Sequence, residues 1–140
     1  MTERQRVRAT GHENVTAEHT STLEFTSDDW LTPAGDCILG VEAAPVPTAF
    51  ADDFVEACQS TEATITATIR VADFRQRIEG RGDPELIFED DRSMVVRTSD
   101  YVDGRTVMVG ADTAAAGIDR EIVDALAGGE PLECVFEVER

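Results

Sequence analysis

The chain has 140 residues, 41% of them hydrophobic, and 29 acidic side chains against 12 basic ones give a net charge of −17. That apolar share supports one core of ordinary domain size and excludes a disordered chain. No apolar run is long enough to cross a bilayer as a helix, and the polar, arginine-bearing opening carries no secretory signal.

Residues 5–9 alternate weakly and read as a strand. Val15, Ala17 and His19 alternate, as do Leu23 and Phe25, and the two runs flank a polar turn, which predicts a hairpin. Residues 30–36, with Thr32-Pro33 and Ala34-Gly35, read as a loop, and residues 37–41 as a compact apolar strand. Pro45 and Pro47 then break the chain. Phe50, Phe54, Val55 and Cys58 form one face of a helix over 49–58, with Asp52 and Asp53 in its first turn. Residues 64–71 alternate strictly and are β-branched, as a half-buried strand requires. The second half predicts strands near 74–79, 85–88, 93–98 and 105–109. A helix follows over 119–127, ended by Gly128-Gly129, and a last strand covers 132–139.

The same order of elements therefore occurs twice. Arg4-Gln5-Arg6-Val7 recurs as Arg75-Gln76-Arg77-Ile78. At that spacing Gly11 falls on Gly82, His12 on Asp83 and Val15 on Leu86. With one residue inserted, Thr26-Ser27-Asp28 falls on Thr98-Ser99-Asp100, and allowing for a longer first loop puts Gly35 on Gly104. Ile65, Ala67, Ile69 and Val71 match Leu132, Cys134, Phe136 and Val138. The expectation is a single domain, residues 1–140, built from copies at about 4–71 and 75–138. Its fold class is mainly β (α+β): an antiparallel sandwich or barrel-like body with two short helices about a pseudo-two-fold axis.

Every basic residue is arginine and none is lysine. At molar salt the Debye length falls to about 3 Å, so surface carboxylates scarcely repel, and arginine keeps its capacity for bidentate pairing. The composition thus predicts a halophilic, acidic, cytoplasmic protein. The three cysteines, Cys37, Cys58 and Cys134, show no CxxC spacing, which fits reduced thiols better than a disulfide framework.

Candidate chemistry is sparse. His12 and His19 are the only histidines, and with Asp36 or Asp83 they could supply a metal site, Cys37 offering a thiolate instead; the spacing matches no metal motif. Cys37 beside a histidine could also be a nucleophile, although a buried cysteine ordinarily serves as a small hydrophobe. Alternation places Arg4 and Arg6 on one face of their strand, and Arg75 and Arg77 on one face of theirs. Such a patch could bind phosphate, carboxylates or an RNA backbone, or simply pair with neighbouring acids. Trp30 and Tyr101 occupy comparable loops, where exposed aromatics mark contact surfaces. No phosphate loop and no nucleophile elbow is present.

The run Gly11-His12-Glu13-Asn14-Val15, then Leu31-Thr32-Pro33-Ala34-Gly35-Asp36-Cys37-Ile38, and Met94-Val95-Val96-Arg97-Thr98-Ser99-Asp100 resemble an archaeal family, domain of unknown function family 371, over nearly the whole chain. The resemblance implies a mostly β archaeal fold and no substrate. Where that family is expected to carry Gly-His-Pro, this chain has Gly82-Asp83-Pro84.

These readings favour a binding or interaction domain over an enzyme. It would use His12, His19, Asp36, Cys37, Asp83, Arg4, Arg6, Arg75 and Arg77, with cofactor and metal unknown. Alternatives are a small metal- or thiol-dependent enzyme and an RNA-associated protein. Among partners, no membrane is expected, a homodimer is considered, and nucleic acid is disfavoured because salt weakens phosphate contacts.

Overall fold

The computed structural model describes residues 2–140; Met1 lies outside them. In chain order the elements are β1 (Thr2–Thr10), β2 (Thr22–Thr26), β3 (Ile38–Ala44), a 3-10 turn (Pro47–Ala49), α1 (Asp52–Cys58), β4 (Thr64–Val71), β5 (Phe74–Arg81), β6 (Ser93–Arg97), β7 (Thr106–Met108), a second 3-10 turn (Ala115–Gly117), α2 (Arg120–Ala127) and β8 (Pro131–Glu139). One eight-stranded sheet runs β5-β4-β8-β1-β3-β2-β6-β7. Its two end strands meet: Arg81 N donates to Val109 O at 2.8 Å and Val109 N to Arg81 O at 3.1 Å. The fold is mostly β with two helices, and this single bridge, just past the end of β7, joins the two ends of the sheet at one point.

Alternation explains the wall. On β4, Ile65, Ala67, Ile69 and Val71 point inward and are buried; on β8, Leu132, Cys134, Phe136 and Val138 do the same. Phe54 on α1 is almost wholly buried, and Phe50, just ahead of that helix, packs at a tilt against Phe136 and Phe88 with ring centres 6.4 and 5.8 Å away. The α2 side chains Ile122 and Leu126 are fully buried in the same core.

Two expectations need correction. The strands are not all antiparallel, because β2 runs parallel to β3 and β6 parallel to β7. The 27–37 and 98–105 segments are crossing loops, so each returns the chain in the direction it left. Nor do residues 15–19 or 85–88 form strands. Val15, Ala17, Leu86 and Phe88 are buried because loops lie across the core. The backbone turns at positive φ at Ala17 (50°) and Phe88 (51°), which no regular strand permits.

Hydrogen bonds come in pairs between the two halves. Gly11 N donates to Glu130 O and Gly82 N to Ala63 O; Thr48 N donates to Asp90 O and Ala116 N to His19 O. Asp36 O accepts from Glu18 and His19, and Gly104 O accepts from Glu89 and Asp90. In these contacts Gly104 and Asp36 play the same acceptor part, whereas the sequence comparison aligned Gly104 with Gly35. Similarly, Ser27 N donates to Arg92 O and Thr98 N to Ser21 O. Ser27 and Thr98 thus make matching backbone hydrogen bonds at a spacing of 71 residues, one less than the pairing of Ser27 with Ser99 expected from the sequence.

Candidate functional site

The loop 27–37 folds back over the outer face of β2 and leaves a cavity of about 480 Å³. Leucine and phenylalanine at 23 and 25 face the core, so Thr22, Glu24 and Thr26 face outward. Glu24 lines the cavity with Thr26, Ser93 and Ile38; Trp30, 55% exposed, stands over it; Asp28, Asp90, Arg92 and Arg105 surround it.

The charges are unequally matched. Arg92 and Asp28 pair bidentately, Nη2 to Oδ2 at 2.7 Å and Nε to Oδ1 at 3.0 Å. This guanidinium holds the Asp28 carboxyl below the usual carboxylate range. Asp90 Oδ2 accepts the backbone N–H groups of Arg92 and Ser93 at 3.0 and 2.7 Å. Arg105 gives its closer contact to Asp103, 3.3 Å, and reaches Glu24 only at 4.0 Å. Glu24 is thus a largely buried carboxyl with no close ion pair, and burial raises its pKa while Arg105, Cys37 and Arg97 oppose. Cys37 Sγ donates to Glu24 Oε1 at 3.8 Å.

The residues singled out from sequence are distributed as follows. His19, Asp36 and Cys37 adjoin one another beside β2. His19 Nδ1 accepts the backbone N–H of Thr22 at 3.1 Å, and Asp36 O accepts that of His19 at 3.3 Å. Burial, and then the neighbouring Glu24 charge, push the Cys37 thiol up to about 11, the opposite of what a nucleophile needs. His12 lies in a different turn, where Nδ1 accepts the Asn14 N–H at 3.0 Å. Asp83 performs the same task in the second half, Oδ1 accepting the Glu85 N–H at 2.8 Å. At these positions histidine and aspartate are interchangeable turn acceptors. Among the described residues, no three His, Cys, Asp or Glu side chains gather to hold a metal ion.

Arg4, Arg6, Arg75 and Arg77 share the outer face of the four strands β5-β4-β8-β1, with Arg8 and Arg70. They do not cluster. Arg6 and Arg77 stand at the two ends of one cross-strand row, with Val135 and Thr68 between them. Arg4 pairs with Glu137 at 2.6 Å, Arg6 with Glu133 at 3.3 Å and Arg77 with Glu79 at 3.7 Å. All three arginines are well exposed, where such pairs contribute little.

Sequence reading identified Trp30 but missed Glu24, Arg92 and Arg105. The available signal was an acid at an outward position between Leu23 and Phe25, a pattern shared by every solvated strand face. Only the loop crossing above it distinguishes this one.

Fold and cavity define a mostly β domain with two helices and a walled polar pocket. The chain belongs to the family described as domain of unknown function DUF371, which matches residues 7–139. It is similar to an uncharacterized protein of Methanocaldococcus jannaschii, 39% identical over 132 residues, covering 94% of this chain and 96% of that one.

Proposed function

We propose that this protein is a small-molecule binding domain and that the cavity beside Trp30 is its binding site. The observation that carries the reading is a pocket of about 480 Å³ with a half-sequestered carboxyl on its floor and an exposed indole at its rim. Convergent polar groups in a concave, partly apolar site are what small-ligand sites have in common. Trp30 is the only tryptophan, so its fluorescence reports the pocket alone. A metabolite-fragment screen read by ligand-observed NMR, with tryptophan emission as a second readout, tests it. Hits that perturb Trp30 emission support the site; hits that bind without touching that signal place the function elsewhere.

The same reading takes residues 4–71 and 75–138 as diverged copies of one unit, supported by the doubled element order and the paired hydrogen bonds. Superposing the two segments in an experimental structure tests it, and segments whose equivalent strands cannot be aligned end it. The acid excess without lysine supports a protein adapted to molar salt in a cytoplasm. Circular dichroism in molar KCl against dilute buffer checks this, since equal folding in both contradicts it.

A further inference from the structure

The β2–β6 ladder is antiparallel with Glu24 opposite Val95 at its middle. Two residues beyond the middle, β2 carries Thr26 and β6 carries Arg97; four residues further stand Trp30 and Tyr101. The backbone between them is tied alike, Glu42 N to Asp28 O at 2.8 Å and Gly110 N to Ser99 O at 2.9 Å. The two aromatic loops therefore cover corresponding places, and what lies beneath the aromatic ring differs.

Beneath Tyr101 lies the Arg97 guanidinium, 4.8 Å from the ring centre. Its Nε donates to Thr106 Oγ1 at 2.8 Å and its Nη2 to Asp103 Oδ2 at 3.0 Å. Arg97 is only 9% exposed. An aromatic face attracts a planar cation in such a position, the more so when water is excluded. Four residues before Trp30, where Arg97 stands before Tyr101, the side chain is the short Thr26, and Thr26 and Trp30 both line the cavity. Here too a carboxylate faces the gap: Glu24 makes no close ion pair, its nearest cation contact being Arg105 at 4.0 Å.

We propose that the cavity takes a planar organic cation, a guanidinium or amidinium group of a small molecule, laid against Trp30 and hydrogen-bonded to Glu24. The fold already contains the complex in its other half, with Arg97 as the tethered occupant. An ammonium would satisfy the charge but not the flat, two-pronged hydrogen bonding to a carboxylate. This inference rests on the binding reading above and narrows it to one ligand chemistry.

The probe is agmatine, with putrescine as the ammonium counterpart and adenine as an uncharged planar one, each titrated in molar KCl against Trp30 emission. The expected result is saturable quenching by agmatine at least tenfold tighter than by putrescine or adenine. Glu24→Gln, which keeps the shape, should weaken agmatine binding on the order of tenfold. Thr26→Arg should abolish it by supplying the cation from within; circular dichroism verifies that each variant is folded. Equal affinity for agmatine and putrescine, or tighter binding of adenine, overturns the cation proposal and leaves the pocket standing. No response of Trp30 to any of the three, together with no pocket ligand from the screen, overturns both. Agmatine binding undiminished in folded Glu24→Gln overturns the assigned contact.

Discussion

The Gln76 side chain holds the start of α2, its Oε1 accepting the backbone N–H of Asp119 at 2.8 Å. Gln5 does the same ahead of α1, accepting from Ala51 at 2.9 Å. The recurring Arg-Gln-Arg motif is thereby explained by its middle residue: each glutamine satisfies an N–H at a helix start that has no side-chain cap of its own. Replacing either with leucine should cost about 1 kcal/mol, a fall in Tm of about 4 °C. The two losses should be nearly additive, because the sites share no partner. Thermal unfolding of the single and double variants measures this; an unchanged Tm in both singles contradicts the capping role.

Gly11 and Gly82 should not tolerate alanine. A Cβ at Gly11 would lie 2.1 Å from Leu126 O, and one at Gly82 2.1 Å from Cys58 O. Both obstacles are backbone at a helix end, so neither can rotate away. Each substitution should destabilise by about 3 kcal/mol or more. Gly104→Ala is the control, since its nearest neighbour would be 3.7 Å away, and it should behave like wild type. Denaturant midpoints separate the cases.

Glu24 should make the native state less stable as pH rises. Burial lifts its folded-state pKa, against the pull of Arg105, Cys37 and Arg97 and with that of Asp90. Above the pH at which the unfolded chain releases this proton, the native state still holds it. Stability attributable to Glu24 is therefore complete below the unfolded value and declines as pH climbs through the raised folded value. Glu24→Gln should flatten that part of the stability profile. Unfolding midpoints from pH 4 to pH 7, compared between the two proteins, give the answer; identical slopes contradict it.

Cys37 should be a poor nucleophile. With its thiol pushed up to about 11 by burial and by Glu24, the thiolate at pH 7 is on the order of 100-fold scarcer than for an ordinary cysteine. Iodoacetamide should label it far more slowly in the native protein than after denaturation. Rapid native-state labelling at neutral pH would restore the thiol-enzyme reading.

Most strands and both helices were legible because they follow one period each. Strict alternation over residues 64–71 and 132–139 requires one buried face, and Phe54 with Cys58 requires a helical one. The same rule misled at Val15–Ala17 and Leu86–Phe88. Alternation records only which side chains are buried, and a loop crossing a core buries them as well as a strand does. Parallel pairing of β2 with β3 was hidden because nothing local to either strand records the direction of its neighbour. The cavity beside Trp30 stayed out of view for a related reason. Histidine and cysteine drew notice as reactive residue types, yet His12 and Asp83 carry out the same turn-capping work, and Cys37 sits in an environment that keeps it protonated.

Residue type and its order along the chain by themselves determined the acid excess, the absence of lysine, the order of most elements and much of the core, since these depend on composition and local period. The tertiary structure alone decided that a loop roofs Glu24 while Arg97 fills the corresponding space under Tyr101. Both follow from which side chain projects beneath an aromatic ring brought there by distant strand pairing, a relation between segments that no local pattern encodes.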